Sequence, residues 1–321
     1  MTDKLLEFID RHDSFVLTTH DPADADGIGT QMVMACILRD RGKRFRIINA
    51  SPVPENFLFM DGSGIIEELD RDAPPERAAM IIVDTADENH MGQMRELIGD
   101  SREVFVIDHH EPRPDNTLNG IYDATAASTC ELAVELAQAA GAAIDPLAAF
   151  AAYVGIVYDT GFFAFPKVGQ RTFRAALELV RLGANPGEAY RRLCENVPAR
   201  ALLLQRKAFS GLTLHCGNRV ALQVLRREDF AEVDAQSGDT DGFVNFPLKT
   251  RDILISIFIK ETPEGKVCGS LRSKGELNMA KIARELGGGG HVNASGFRST
   301  LDIDQTISKT LAKIAEYMEA Q

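Results

Sequence analysis

Through the first two-thirds of the chain, short runs that are apolar almost without interruption alternate with longer stretches whose apolar positions recur at helical spacing. Ser14–Thr19 (SFVLTT), Ala79–Val83 (AMIIV) and Glu103–Ile107 (EVFVI) are apolar on both faces, which predicts strands buried inside a sheet. Helical periodicity runs over Ile28–Asp40, Ser128–Ala140 and Pro146–Tyr158, the second opened by Ser128-Thr129 with Glu131 in its first turn. This alternation predicts an α/β fold, a mostly parallel sheet with helices on both faces. Gln170–Leu182 predicts a further amphipathic helix closed by Gly183, and helices over Gly187–Cys194 and Ala199–Phe209 flank Pro198.

From about Leu212 the pattern changes. Arg219–Leu225 (RVALQVL) reads as a strand, and DILISIFIKETPEGKVCGSLRS reads as a hairpin turning at Thr262-Pro263-Glu264-Gly265. A helix around Asn278–Leu286, the run Gly287-Gly288-Gly289-Gly290-His291 and an amphipathic helix over Asp304–Glu319 complete a smaller α/β domain. The expected organisation is a catalytic domain over residues 1–190, a helical linker over 191–212 and a second domain over 213–321. A chain of 321 residues is long enough for two cores.

Composition narrows the partners. Thirty-five basic against forty-seven acidic side chains give a net charge of -12, which repels long nucleic acid from most of the surface and leaves room only for a short or locally held one. The five cysteines (Cys36, Cys130, Cys194, Cys216 and Cys268) form no C-x-x-C pair and are expected to be reduced and mostly buried. Met1–Arg11 is charged and amphipathic, and no segment has the apolar length of a membrane span, so a cytoplasmic location away from membranes is expected.

Acids and histidines gather where the buried runs stop. The first strand is followed by Thr19-His20-Asp21-Pro22-Ala23-Asp24-Ala25-Asp26-Gly27, the second by Asp84-Thr85-Ala86-Asp87, and the third by Asp108-His109-His110. The carboxyl ends of parallel strands are where open sheets bind ligands. Asp24 and Asp26, two apart in a loop, can aim at neighbouring cations while His20 adds a nitrogen to one of them. Asp159 closes an apolar helical pattern between Gly155 and Gly161, as a carboxylate directed into a cavity would. Asp24, Asp26, Asp84 and Asp159 cannot share one crevice at neutral pH unless some are protonated or cations are present, and two divalent ions balance four carboxylates. Oxygen and imidazole donors without thiolate favour manganese, magnesium or iron over structural zinc, with manganese preferred and magnesium possible.

These four segments, in this order, resemble the DHH phosphoesterase superfamily, named for the triplet that stands here as Asp108-His109-His110. Gly269-Ser270-Leu271-Arg272-Ser273, followed by Gly287–Phe297 (GGGGHVNASGF), is similar to its DHHA1 substrate-binding domain, so the resemblance covers nearly the whole chain. A chain with both domains and little else looks most like the NrnA-type members, which hydrolyse very short oligonucleotides and, in many cases, 3'-phosphoadenosine 5'-phosphate. The resemblance implies two divalent ions, one held by His20, Asp24 and Asp84, the other by Asp26, Asp84, His109 and Asp159. It also implies a homodimer. The first motif departs from the P-D-x-D-A of many relatives, since Pro22 is displaced by one position, and His90 stands near a position where some relatives carry arginine.

The remaining roles follow from side-chain chemistry. His110 is placed to hydrogen-bond the scissile phosphate or protonate the leaving oxygen, and Asp108 to orient it or His109. In the second domain Arg272 offers a fork for phosphate, Gly288, Gly289 and Gly290 let backbone N–H groups approach beside His291, and Ser273 and Asn293 add neutral hydrogen bonds. Phe162, Phe163 and Phe165 read as core residues that have the chemistry to stack a base, and Arg39, Arg41, Lys43, Arg44 and Arg46 as a solvated surface. The expected activity is hydrolysis of dinucleotides and similar short oligonucleotides. Alternatives are a 3'-phosphoadenosine 5'-phosphate phosphatase and a linear or cyclic dinucleotide phosphodiesterase. Weaker rivals are a RecJ-like single-strand exonuclease, a family-II pyrophosphatase and a catalytically silent nucleotide sensor.

Overall fold

In a computed structural model that describes residues 2–113 and 115–319, the chain divides after Asn196 into two units. The first contains strands β1 (Ser14–Thr18), β2 (Arg44–Asn49), β3 (Ile66–Glu68), β4 (Ala79–Val83), β5 (Val104–Asp108) and β6 (Gly120–Tyr122). Its helices are α1 (Thr2–Asp10), α2 (Ala25–Asp40), α3 (Thr129–Ala140), α4 (Pro146–Asp159), α5 (Gln170–Arg181) and α6 (Pro186–Cys194).

All six strands run parallel in the order β3-β2-β1-β4-β5-β6. The run from β1 outward through β2 and β3 reverses between β1 and β4, which makes the carboxyl ends of those two strands the switch point where such sheets hold ligands. Side chains alternate across the sheet. Phe15, Leu17, Ile81, Val83, Phe105 and Ile107 join the helices in the main core, whereas Val16, Ile48, Met80, Ile82 and Val106 meet Met91 and Met94 on the reverse face. The cover there is made of tight 3-10 turns over Glu88–His90 and Gly92–Leu97. A β-carbon at Gly29 would sit 2.7 Å from Ala151 O, and one at Gly155 2.8 Å from Ala25 O, so α2 and α4 approach at backbone distance.

The second unit contains α7 (Ala199–Ser210), β7 (Thr213–His215), β8 (Val220–Leu225), α8 (Arg227–Glu232), β9 (Ile255–Glu261), β10 (Val267–Ser273), α9 (Met279–Glu285), β11 (Gly289–Gly290), β12 (Ala294–Ser299) and α10 (Ile303–Glu319). The strand order is β11-β12-β10-β9-β8-β7, antiparallel except between β8 and β9. Thr262–Gly265 is the predicted hairpin turn, closed by Thr262 N donating to Lys266 O. Leu204 and Ala208 of α7 pack with Leu225, Phe230 and Phe258, so this helix of the expected linker is built into the second unit, while α6 belongs to the first.

One surface expectation changes and one stands. Only Cys36 and Cys130 are buried, since Cys194 sits exposed on α6 and Cys216 and Cys268 are half-buried. Within the basic stretch Arg39, Arg41 and Arg46 pair with Asp145, Asp10 and Glu67. Among the described residues no helix is long and apolar enough to cross a membrane.

Candidate metal centre

Where β1 ends, Thr19 donates its hydroxyl to Val83 O at the end of β4, tying the two strand tips together. The chain then enters α2 earlier than its apolar pattern predicts. Asp24 is the helix N-cap, accepting from the N–H groups of Asp26 and Gly27 at 2.9 and 3.1 Å, so Asp26 lies in the first helical turn and not in a loop. A cap followed by Ala-Asp-Gly reads as loop because glycine and aspartate are poor helix formers, and burial of this whole turn overrides that preference. Asp26 points at the start of α3, where the N–H groups of Thr129 and Cys130 donate to its two oxygens at 2.6 and 2.8 Å.

Asp84 leaves β4 in a left-handed conformation, φ 61°, an uncommon state for a residue with a side chain. Its Oδ1 accepts from the Thr129 hydroxyl at 2.7 Å. His20 Nε2 lies 3.5 Å from Asp24 Oδ1 and 3.6 Å from Asp84 Oδ2. From β5, His109 directs Nε2 at Asp159 Oδ2 (3.4 Å), Asp84 Oδ1 (3.7 Å) and Asp26 Oδ2 (4.0 Å), with Nδ1 3.4 Å from Ala126 O. His110 Nδ1 lies 2.7 Å from Asp108 Oδ1 and 3.9 Å from Asp84 Oδ1.

The six residues expected to hold metal thus meet at the switch point. They fall into the groups His20–Asp24–Asp84 and Asp26–His109–Asp159, while Asp84 also groups with His109 and His110; within each group the ligand atoms lie within 4.8 Å of one another. Asp84 faces both sides. Thr129 was not expected here, because Ser128-Thr129 reads as a helix cap. Ser128 does cap α3 through Glu131 N, and Thr129 orients Asp84 and Asp26.

Crowding shows in the proton affinities. Burial, then the charges of Asp26 and Asp24, push the Asp84 carboxyl up to about 8, and burial with Asp26, Asp84 and Asp24 pushes Asp159 up to about 9. For His20 burial is the largest influence and favours the neutral ring, yet the hydrogen bonds and charges of Asp24 and Asp84 together outweigh it and raise the group to about 11. Burial likewise disfavours charge on His110, but Asp108 prevails and the ring rises to about 9. Asp108 falls below the usual carboxylate range because His110 outweighs its burial, while burial lowers His109. His109 Nε2 is buried without a hydrogen-bond partner although three carboxylates face it. An unpartnered imidazole nitrogen among hard oxygen donors suits divalent ions, which would replace the protons these groups otherwise need.

In the second unit, Arg272 Nη1 donates to Leu271 O at 3.0 Å. Ser273 gives its hydroxyl to Leu277 O and accepts from Asn293, which also donates to Gly275 O, so both side chains brace the 273–278 turn. The glycine run forms edge strand β11 against β12. A β-carbon at Gly288 would strike Gly296 O and one at Gly290 would strike Ala294 O, whereas Gly289 faces open space. His291 is exposed, as is His90 in its 3-10 turn. The phenylalanines after Asp159 divide: Phe163 stacks on Phe173, and Phe162 and Phe165 face solvent.

Comparison with known proteins follows the same division. Residues 14–156 match the DHH family, N-terminal domain, and residues 217–320 match the DHHA1 domain. A "Bifunctional oligoribonuclease and PAP phosphatase NrnA" of Thermus thermophilus is 28% identical over 305 residues, 94% of this chain and 89% of that protein. A "Cyclic-di-AMP phosphodiesterase GdpP" of Geobacillus thermodenitrificans is 28% identical over 98% of this chain and 49% of its own length. The crystal structure of an exopolyphosphatase-related protein from Bacteroides fragilis superposes with a TM-score of 0.91 at 26% identity, covering 98% of this chain and 96% of that one.

Proposed function

Because the chain belongs to the DHH–DHHA1 phosphoesterases, divalent-metal-dependent hydrolases of ester bonds, we propose that it cleaves dinucleotides and similarly short oligonucleotides at a pair of ions, manganese before magnesium. The observation that carries this reading is the buried, unpartnered Nε2 of His109 facing the carboxylates of Asp26, Asp84 and Asp159, with His20 and Asp24 on the far side of Asp84. His20, Asp24 and Asp84 would hold one ion and Asp26, Asp84, His109 and Asp159 the other. Bound ions supply a nucleophile at neutral pH and offset charge building on the phosphoryl oxygens.

The chain's own groups do the rest. Asp26, anchored by two amides of α3, and Asp84, anchored by Thr129, keep their oxygens fixed while substrate comes and goes. His110, held through Nδ1 by Asp108, presents its other nitrogen to the scissile phosphate and delivers a proton to the leaving oxygen. The first unit is the catalytic domain, and in the second Arg272, the backbone of Gly288, Gly289 and Gly290, and His291 grip a substrate phosphate. Ser273 and Asn293 fix the turn beside Arg272. The net charge of -12 supports a short substrate over a long strand.

Similarity to a cyclic-di-AMP phosphodiesterase over 98% of the chain favours cyclic dinucleotides as a second substrate class. A manganese-supplemented assay comparing a dinucleotide, a long single strand, 3'-phosphoadenosine 5'-phosphate and cyclic-di-AMP ranks these readings. The dinucleotide should be cut fastest, and faster cleavage of the long strand would overturn the proposal.

A further inference from the structure

One turn beyond Asp159 the backbone adopts a conformation that side chains resist. Gly161, Phe162 and Phe163 follow one another with φ of 55°, 59° and 62°, in the left-handed region that bulky residues avoid. The turn is held from inside. Phe162 N donates to Val157 O at 2.8 Å, Phe163 N to the Thr160 hydroxyl at 3.1 Å and Phe165 N to Thr160 O at 3.0 Å, and Thr160 itself is buried. A side chain at Gly161 is disfavoured by its φ of 55°, and its β-carbon, 2.6 Å from the exposed Phe165 ring, would push that ring aside.

This strained turn sorts its aromatic rings. Phe163 goes inward, stacked on Phe173 at 5.2 Å and packed near Tyr153. Phe162 remains 46% exposed and meets the edge of Tyr190, 52% exposed, at 6.1 Å between centroids. Hydrophobicity alone would bury Phe162, and relaxed backbone would suffice to leave it out. Holding it outward by strain, one turn from a carboxylate of the metal cluster, indicates a ligand that reaches from that cluster to this ring. On a nucleotide the phosphate belongs at the ions and the sugar is polar; the flat, uncharged part is the base, and aromatic faces stack on any base without reading its hydrogen bonds.

We propose that Phe162, braced by Tyr190, is the stacking platform for the base joined to the phosphate being cut, so that the enzyme selects nucleotides over other phosphoesters with little preference among bases. The proposal rests on the reading that the site cleaves short oligonucleotides. The experiment compares kcat/KM, with manganese, for a dinucleotide and for the two analogues lacking one or the other base. Wild type should prefer the dinucleotide to one analogue by roughly 10-fold or more, as stacking of one base provides. Phe162→Ala should bring that ratio close to one, and Phe162→Trp should restore it. Glycine accepts the same backbone, so Phe162→Gly should fold at least as well and lose the preference equally.

An unchanged ratio in Phe162→Ala overturns the platform. So does an equal loss on all substrates accompanied by a change in oligomeric state by gel filtration, which would make the ring a contact between copies of the chain. Equal wild-type rates on dinucleotide and both analogues also overturn it while leaving the phosphodiesterase reading standing, whereas no cleavage of any of them overturns that reading itself.

Discussion

Replacing Gly155 by alanine tests whether the close approach of α4 to α2 sets the metal centre. The new β-carbon would stand 2.5 Å from Cys130 Sγ, 2.8 Å from Ala25 O and 3.1 Å from Asp26 Cα. The sulfur cannot simply swing away, because it is buried and contacts Asp26 O at 3.3 Å and Thr30 Oγ1 at 3.4 Å. The other two obstacles are backbone atoms of the turn that carries Asp26. Ordinary contacts lie near about 3.5–4.0 Å, so the helices must part by about 1 Å. Overpacking of this kind costs about 1–3 kcal/mol. A unit of 196 residues then loses about 2–12 °C of Tm. The same displacement moves Asp26 against Asp159, and misplacement by about 1 Å can lower kcat about 100-fold. Differential scanning calorimetry and manganese-dependent dinucleotide hydrolysis measure the two effects, with Gly99→Ala as the control because nothing lies within 4 Å of its added carbon. A Gly155→Ala protein that melts within about 1 °C of wild type at full activity would refute the argument.

Asp84→Asn keeps an oxygen for the Thr129 hydroxyl while removing an acid from a crowded cluster. The metal-free variant should melt no lower than wild type, gain no Tm from manganese and lose at least roughly 10³-fold in activity, since the ions contribute several kcal/mol. Measurable activation by manganese would argue against Asp84 as the shared ligand. In metal-free wild type, His20, His110, Asp84 and Asp159 all bind protons more tightly folded than unfolded. Their contribution is complete below the unfolded pKa values, near 4 for the acids and 6.5 for the histidines, and is lost as pH rises toward the folded ones. Between about pH 7 and 9 Tm should therefore fall without metal, and the stabilisation conferred by manganese should widen; a flat or rising metal-free Tm contradicts this. Arg272→Ala should raise KM roughly 10- to 100-fold with little change in kcat, the loss expected for one charge-assisted phosphate contact, and a selective fall in kcat would show that Arg272 acts on the reaction instead.

The sheet and the strand-tip acids were legible in the sequence because buried parallel strands are apolar on both faces and leave polar residues only at their ends. The extent of α2 was not, since a cap followed by Ala-Asp-Gly resembles a turn until burial fixes it. Asp84 and Phe162 gave no sign of their left-handed backbones, which favour glycine and which local sequence preference argues against. The short strands β3 and β6 lack an apolar run, being held by their neighbours in the sheet. Four consecutive glycines before His291 pointed to phosphate, yet Gly288 and Gly290 are required by close passage of β12, leaving Gly289 facing open space.

Asp26 spans two jobs. Its oxygens answer the amides that open α3 and also face the metal ions' place beside His109. A helix start that its own chain already satisfies needs no cation to form, so the α3 amides hold the Asp26 carboxylate in place whether or not an ion is bound.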